Sequence, residues 1–118
     1  MTWKLFIDDE RDPPNDGTEW KIARNYDDVK MLLFTYGFPR FISFDHDLGE
    51  NTETGYFIAK KLVEWDMDNR RFNILDDFDY YVHSQNPVGK RNIEGYLDGY
   101  LKQKLETKNI GWLQQPLR

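Results

Sequence analysis

Four short apolar runs, Trp3 to Ile7, Glu19 to Ala23, Phe41 to Phe44 and Tyr80 to His83, alternate along the chain with stretches whose apolar residues recur every three or four positions. Short runs bounded by turn residues read as strands, and the longer period reads as helix. Val29, Leu32, Leu33 and Tyr36 form the first helical stripe, with Asn25 as its N-cap and Gly37 and Pro39 as stop signals. Gly55, Ile58, Ala59, Leu62 and Val63 form the second, and Ile93, Tyr96, Leu97, Tyr100 and Leu101 the third. Strand and helix alternating through short connections predict right-handed crossovers and a mainly parallel α/β sheet. One helix is missing from the series. The segment Asp8 to Gly17 holds two prolines, a glycine and no apolar period, so it reads as a loop. Asn109 to Leu113 is a candidate edge strand, giving an expected sheet of four or five strands flanked by helices.

With 118 residues and no repeat or linker, the chain reads as one domain spanning residues 1–118. Aromatic residues make up 16% of so short a chain, so an aromatic-rich core is expected, with Trp3, Trp20, Trp65, Tyr80 and Tyr81 in it or at its rim. Cysteine is absent, which excludes disulfides and thiolate zinc sites; a metal would have to be held by oxygen or imidazole. The N-terminus runs into acidic residues too soon for a signal peptide or a membrane span, and the expected location is the cytoplasm. A net charge of −5 argues against broad nucleic-acid binding through a basic face. It is compatible with a local positive pocket for a small phosphorylated molecule. Protein partners are not specified.

In an open parallel sheet ligands bind beyond the carboxyl ends of the strands. Three polar clusters fall there: Asp8-Asp9-Glu10-Arg11, Asp45-His46-Asp47-Leu48-Gly49, and His83-Ser84-Gln85-Asn86-Pro87-Val88-Gly89-Lys90. If the first and third strands are neighbours, Asp8, Asp9, Asp45 and Asp47 converge. Crowded carboxylates either raise one another's pKa or hold a divalent cation, and an all-oxygen set suits Mg²⁺, or another divalent ion such as Mn²⁺. Solvated turn chemistry is the alternative. The two histidines, His46 and His83, both lie in these clusters and have an unperturbed pKa of about 6.5, suited to proton transfer near neutrality; metal binding or a single structural hydrogen bond are the other readings. Asn86 and Pro87 read as the N-cap and first residue of a helix whose amides could receive phosphate, with Gly89 allowing close approach and Lys90 adding charge, or as capping alone. Arg11 could bind a phosphate bidentately or pair with Glu10 or Asp12.

Asp8-Asp9 after the first strand, Asp45 after the third and Gly55 opening the next helix resemble the receiver domains of two-component signalling, a flavodoxin-like fold. In that family the acidic pair and the third aspartate bind Mg²⁺, and the third is phosphorylated. The chain departs from ordinary receivers: a loop replaces the first helix, strand four ends in His83-Ser84-Gln85-Asn86-Pro87-Val88-Gly89, and no fifth strand with its lysine is visible. With those departures it resembles the cyclic-phosphate-processing receiver domains common in phages and bacteria. The marks are Ile7-Asp8-Asp9-Glu10-Arg11-Asp12-Pro13, Ser43-Phe44-Asp45-His46-Asp47-Leu48-Gly49 and Val82-His83-Ser84-Gln85-Asn86-Pro87-Val88-Gly89-Lys90-Arg91-Asn92-Ile93.

Together, residues and resemblance lead to an expected metal-assisted phosphoesterase that opens or hydrolyses a cyclic phosphate on a nucleotide or sugar. Asp8, Asp9 and Asp45 would be its metal ligands, and His83, His46 and Asp47 its acid–base groups. Arg11, Ser84, Asn86, Gly89 and Lys90 would bind phosphate. Two rival expectations are a module that sequesters a phosphorylated or cyclic-nucleotide ligand without turnover, and a pseudo-receiver acting through protein contacts.

Overall fold

The strand and helix patterns are realised in the order β1 (Lys4–Ile7), β2 (Trp20–Ala23), α1 (Tyr26–Tyr36), β3 (Phe41–Phe44), α2 (Gly55–Asp68), β4 (Asp79–Val82) and α3 (Pro87–Gln114) in a computed structural model. It describes residues 3–68 and 73–114, the last eight of these as backbone only. The strands form one all-parallel sheet ordered β2-β1-β3-β4. Ile7 sits opposite both Ala23 and Phe44, and Phe44 opposite Val82, so all four strands end level. This is the receiver-like α/β fold, with residues 8–19 holding no helix between β1 and β2.

Each helix begins where its sequence supplies a cap. The Asn25 side chain accepts the Asp28 N–H at 2.9 Å, and the Asp28 carboxylate accepts the Arg24 N–H at 2.9 Å, so the start of α1 is tied twice. Gly37 ends it at φ 82°, donating its N–H to the Leu33 carbonyl at 2.9 Å. Thr54 receives the Phe57 N–H at the head of α2, and Asn86 receives the Gly89 N–H at the head of α3.

Two expectations are corrected. Asn109 to Leu113 is not an edge strand; these residues continue α3, so the sheet has four strands among the described residues. The preceding run Lys102-Gln103-Lys104-Leu105-Glu106 consists of strong helix formers, and extending an existing helix gains a bond per residue, which outweighs the roughly 1 kcal/mol cost of Gly111. The core, in turn, is aliphatic more than aromatic. Leu5, Ile7, Ala23, Ile42 and Val82 from the sheet pack with Val29, Leu33, Ile58, Leu62, Ile93 and Leu97 from the helices, and among the described residues Phe38 and Phe44 are the buried rings of this cluster. Trp3, Tyr26, Tyr56, Trp65, Tyr80, Tyr96 and Tyr100 lie around this core, partly buried. Two of their hydroxyls find partners at this margin, Tyr80 on Asp98 and Tyr100 on Asp66. Full burial of a Leu or Ile is worth about 1.5–3 kcal/mol, so the aliphatic stripe dominates what holds helix to sheet. No helix among the described residues is long and apolar enough to cross a membrane.

Candidate functional site

The parallel ladder runs one residue past each strand. The N–H of Asp8 donates to the Ala23 carbonyl at 3.1 Å, that of Asp45 to Ile7 at 2.9 Å, and that of His83 to Phe44 at 2.9 Å. Asp8, Asp45 and His83 therefore hold equivalent positions on three adjacent strands, and their ligand atoms all lie within 4.8 Å of one another. β4 ends at Val82, so His83 is the first residue beyond the strand and not its last.

Asp8 is only 1% exposed, yet its carboxylate is well supplied with donors. One oxygen accepts the N–H groups of Glu10 and Arg11, both at 2.8 Å; the other accepts Arg11 Nε and His83 Nε2, both at 3.0 Å. Burial pushes this carboxyl's pKa up, but the two backbone N–H groups, His83 and the Arg11 charge outweigh it and hold the pKa below the usual carboxylate range. Asp45 is the opposite case. Its burial and the charge of Asp8 push its carboxyl up, against the His46 N–H, His83 and the Ser84 hydroxyl. A buried pair of carboxylates, one of them resisting ionisation, beside an imidazole is a donor set that fits a hard divalent cation.

His83 is held at both ring nitrogens. Nε2 meets Asp8, Nδ1 lies 2.7 Å from the Ser43 hydroxyl, and the ring lies flat on Phe6 with centroids 4.6 Å apart. Ser43 was not legible as a site residue, because in the sequence it sits inside an apolar strand; its parity with Asp45, two positions on, is the signal that it shares the site's face. Arg24 was also missed. Its guanidinium donates to the carbonyls of Asp8 and Arg11 and to the Asp12 carboxylate at 3.1, 2.6 and 2.9 Å, pinning the loop that carries Arg11.

The second and third clusters interlock. His46 Nδ1 lies 3.1 Å from one oxygen of Asp47, and the Asn86 side-chain amide donates to the other at 3.3 Å. A Cβ on Gly55 would overlap the Asp45 carbonyl, and one on Gly89 would overlap the His46 ring. Glycine at these two positions lets the heads of α2 and α3 close onto the Asp45-His46 segment.

A cleft of about 630 Å³ opens over this row, lined by Asp8, Asp9, Arg11, Asp45, Asp47, Ser84 and Asn86 together with Glu10, Gly49 and Gln85. Seven of the eleven residues expected at the site thus share one cavity. Asp9 lies in that lining but outside the tight Asp8-Asp45-His83 group. His83 adjoins the lining through Asp8, while His46, Gly89 and Lys90 stand behind or beside it. Gly89 packs on His46, its N–H capped by Asn86, and Lys90 Nζ lies 5.8 Å from the centre of the Tyr81 ring.

A family model described as the cyclic-phosphate processing receiver domain matches residues 3–99. No curated protein and no solved structure gives a match to the chain.

Proposed function

The chain belongs to the cyclic-phosphate processing receiver family, and from that membership we propose that it is a divalent-metal-assisted phosphoesterase, opening or hydrolysing a cyclic phosphate on a nucleotide or sugar. The observation that carries this reading is the convergence of Asp8, Asp45 and His83 at level strand ends, beside a cleft that also holds Arg11 and Ser84.

Asp8 and Asp45, with His83 adjoining and Asp9 at the rim, would hold Mg²⁺ or Mn²⁺. A bound divalent ion would supply charge neutralisation at the phosphoryl oxygens. The chain's own groups do the rest. Arg11 and the Ser84 hydroxyl orient the phosphate. Asp47, exposed in the cleft and steadied by His46 and Asn86, takes the proton of the attacking water. Water adds to phosphorus, the ring P–O bond breaks, and His83, acting in its imidazolium form, gives its Nε2 proton to the leaving oxygen. The product is a phosphomonoester. Ser43 is a positioning residue, setting which ring nitrogen of His83 carries hydrogen.

One observation favours a second reading, sequestration without turnover. The Asp8 oxygens and both His83 nitrogens are already engaged within the protein, as befits a rigid receptor. The two are separated by ³¹P NMR of wild type and His83→Ala with Mg²⁺ and a panel of cyclic phosphates. Conversion by wild type and not by the variant upholds the enzyme. Shifted or broadened signals without product uphold sequestration, and spectra that never change overturn both.

A further inference from the structure

The two faces of the sheet are covered unequally. In the order β2-β1-β3-β4, the connections through α1 and through α2 run across the sheet in the same direction, and right-handed crossovers place both helices on one face. α3 packs on α2 and joins them there. The step from β1 to β2 runs the other way, so a helix in it would have covered the second face; residues 8–19 form a loop instead. That second face carries no helix among the described residues.

Strand alternation fixes which residues it presents: Lys4 and Phe6 on β1, Trp20 and Ile22 on β2, Phe41 and Ser43 on β3, and Tyr81 on β4. Phe6 is buried but absent from the aliphatic core, as this parity requires. One more step along the same alternation brings Asp8, Asp45 and His83, so the proposed catalytic row and this face are continuous.

The face holds a second cleft, of about 510 Å³, walled by Phe6, Trp20, Phe41 and Tyr81 with Lys4 and Asp16 at its margin. That volume falls within the roughly 300–1,000 Å³ of small-molecule sites. Trp20 stands edge-on to Phe6 and to Phe41, at 5.8 and 5.9 Å between centroids. Tyr81 is 57% exposed, although tyrosine rings bury readily when a partner is offered. Ser43 and His83 line the inner end, and Arg11 lines both this cleft and the carboxylate one.

We propose that the aromatic cleft receives the base of the substrate, so that the cyclic phosphate is carried by a nucleoside and not by a bare sugar. The proposal rests on the phosphoesterase reading and specifies its substrate class. His83 stacks on Phe6 and Lys4 Nζ lies 4.2 Å from the centre of the Trp20 ring, so a flat heterocycle would lie against the exposed Tyr81 ring, and base–aromatic stacking tolerates any base. Lys4 Nζ and Asp16 Oδ2, 3.5 Å apart, offer a donor and an acceptor to a base edge. With the base here and the phosphate by Arg11, the ribose lies at His83, where the leaving oxygen needs its proton.

The test pairs binding with turnover. Saturation-transfer NMR with AMP reads whether the base protons contact the protein. The kcat/KM values for adenosine 2′,3′-cyclic phosphate and glycerol 1,2-cyclic phosphate read whether a base matters to the reaction. Strong transfer to the base protons and a preference for the nucleotide are expected. Tyr81→Ala should weaken AMP binding about tenfold and narrow the preference, and Tyr81→Phe should restore both. No transfer to the base, with both cyclic phosphates turned over equally, overturns the proposal and leaves the phosphoesterase reading standing. Base contacts and Tyr81 dependence with neither compound turned over uphold the cleft and overturn that reading instead. A second copy of the chain seated on this face and excluding AMP, seen by sedimentation, also overturns the proposal.

Discussion

Nε2 of His83 lies 3.0 Å from Oδ2 of Asp8, across 75 positions of sequence. An ionised carboxylate, held below its usual pKa range by its donors, only accepts, so Nε2 carries the hydrogen, and in the neutral ring Nδ1 accepts from Ser43. The imidazole is therefore fixed in tautomer by one residue from each of β1's end and β3's interior.

Ser43→Ala removes the partner of Nδ1 while leaving Asp8 in place. The loss of one buried hydrogen bond should cost about 1 kcal/mol of stability. The ring ¹⁵N shifts of His83 should move toward a mixture of tautomers, which a purely structural role for Ser43 would not produce. Turnover of any cyclic phosphate should fall while its KM stays within about twofold.

Gly55→Ala and Gly89→Ala should both destabilise, and unequally. The first meets backbone, the Asp45 carbonyl, which cannot give without moving the row of Asp8, Asp45 and His83; the second meets the His46 ring, which can rotate away. Overpacking of this kind costs about 1–3 kcal/mol, with Gly55→Ala at or beyond the upper end and Gly89→Ala at the lower. Urea denaturation gives the order. Equal losses would mean that the two helix heads approach the Asp45-His46 segment less closely than described.

Asp45→Asn should stabilise the metal-free protein. Burial and the Asp8 charge raise the pKa of Asp45 in the fold, so ionising it costs stability as pH rises from the unfolded value of about 3.9 through the folded one. An amide has no such cost at neutral pH and still accepts the His46 N–H. A melting temperature about 2–5 °C higher is expected without metal; under the proposed function Mg²⁺ should raise the melting temperature of wild type and not that of the variant. A lower melting temperature without metal would contradict this.

Away from the site, Asp66 ties α2 to α3. Its buried carboxylate accepts the Ile74 N–H at 2.8 Å, the Tyr100 hydroxyl at 2.5 Å and Lys104 Nζ at 2.9 Å. Burial raises its pKa, but Tyr100, Lys104 and Ile74 together lower it below the usual range. The contribution is present above the unfolded value of about 3.9 and is lost as pH falls through the lower folded value. Asp66→Asn should cost about 2–3 kcal/mol at pH 7, between the worth of an exposed pair and the cost of breaking a buried one, because Lys104 is partly exposed. Urea titrations at low pH should show a smaller gap between variant and wild type; a gap independent of pH would assign the loss to packing.

Much of this was legible in the sequence, for identifiable reasons. Strands β2 and β4 were placed within a residue because polar clusters follow short apolar runs, and α1 because Asn25 and Gly37 mark its ends. The three clusters named most of the cleft because strand ends in a parallel sheet face one way. The inequality of the two faces was not legible. In β1, Leu5, Phe6 and Ile7 are all buried, so the period-two pattern that would separate the faces is erased. Ser43 was hidden by the same effect in β3. Asn109 to Leu113 misled because a short apolar run carries no record of the helix already propagating toward it.

The level strand ends divide the chain into stretches whose length is free and stretches whose length is not. The loops beyond Asp12 and beyond Gly49 run over the surface and should accept inserted residues, because neither the ladder nor the core passes through them. One residue added within β1, β3 or β4 would turn Asp8, Asp45 or His83 to the opposite face and remove it from the row. Insertions and deletions in those loops can therefore reshape the rim of this pocket, and with it the molecule admitted, whereas the count of residues from each strand's start to its chemical group admits no change.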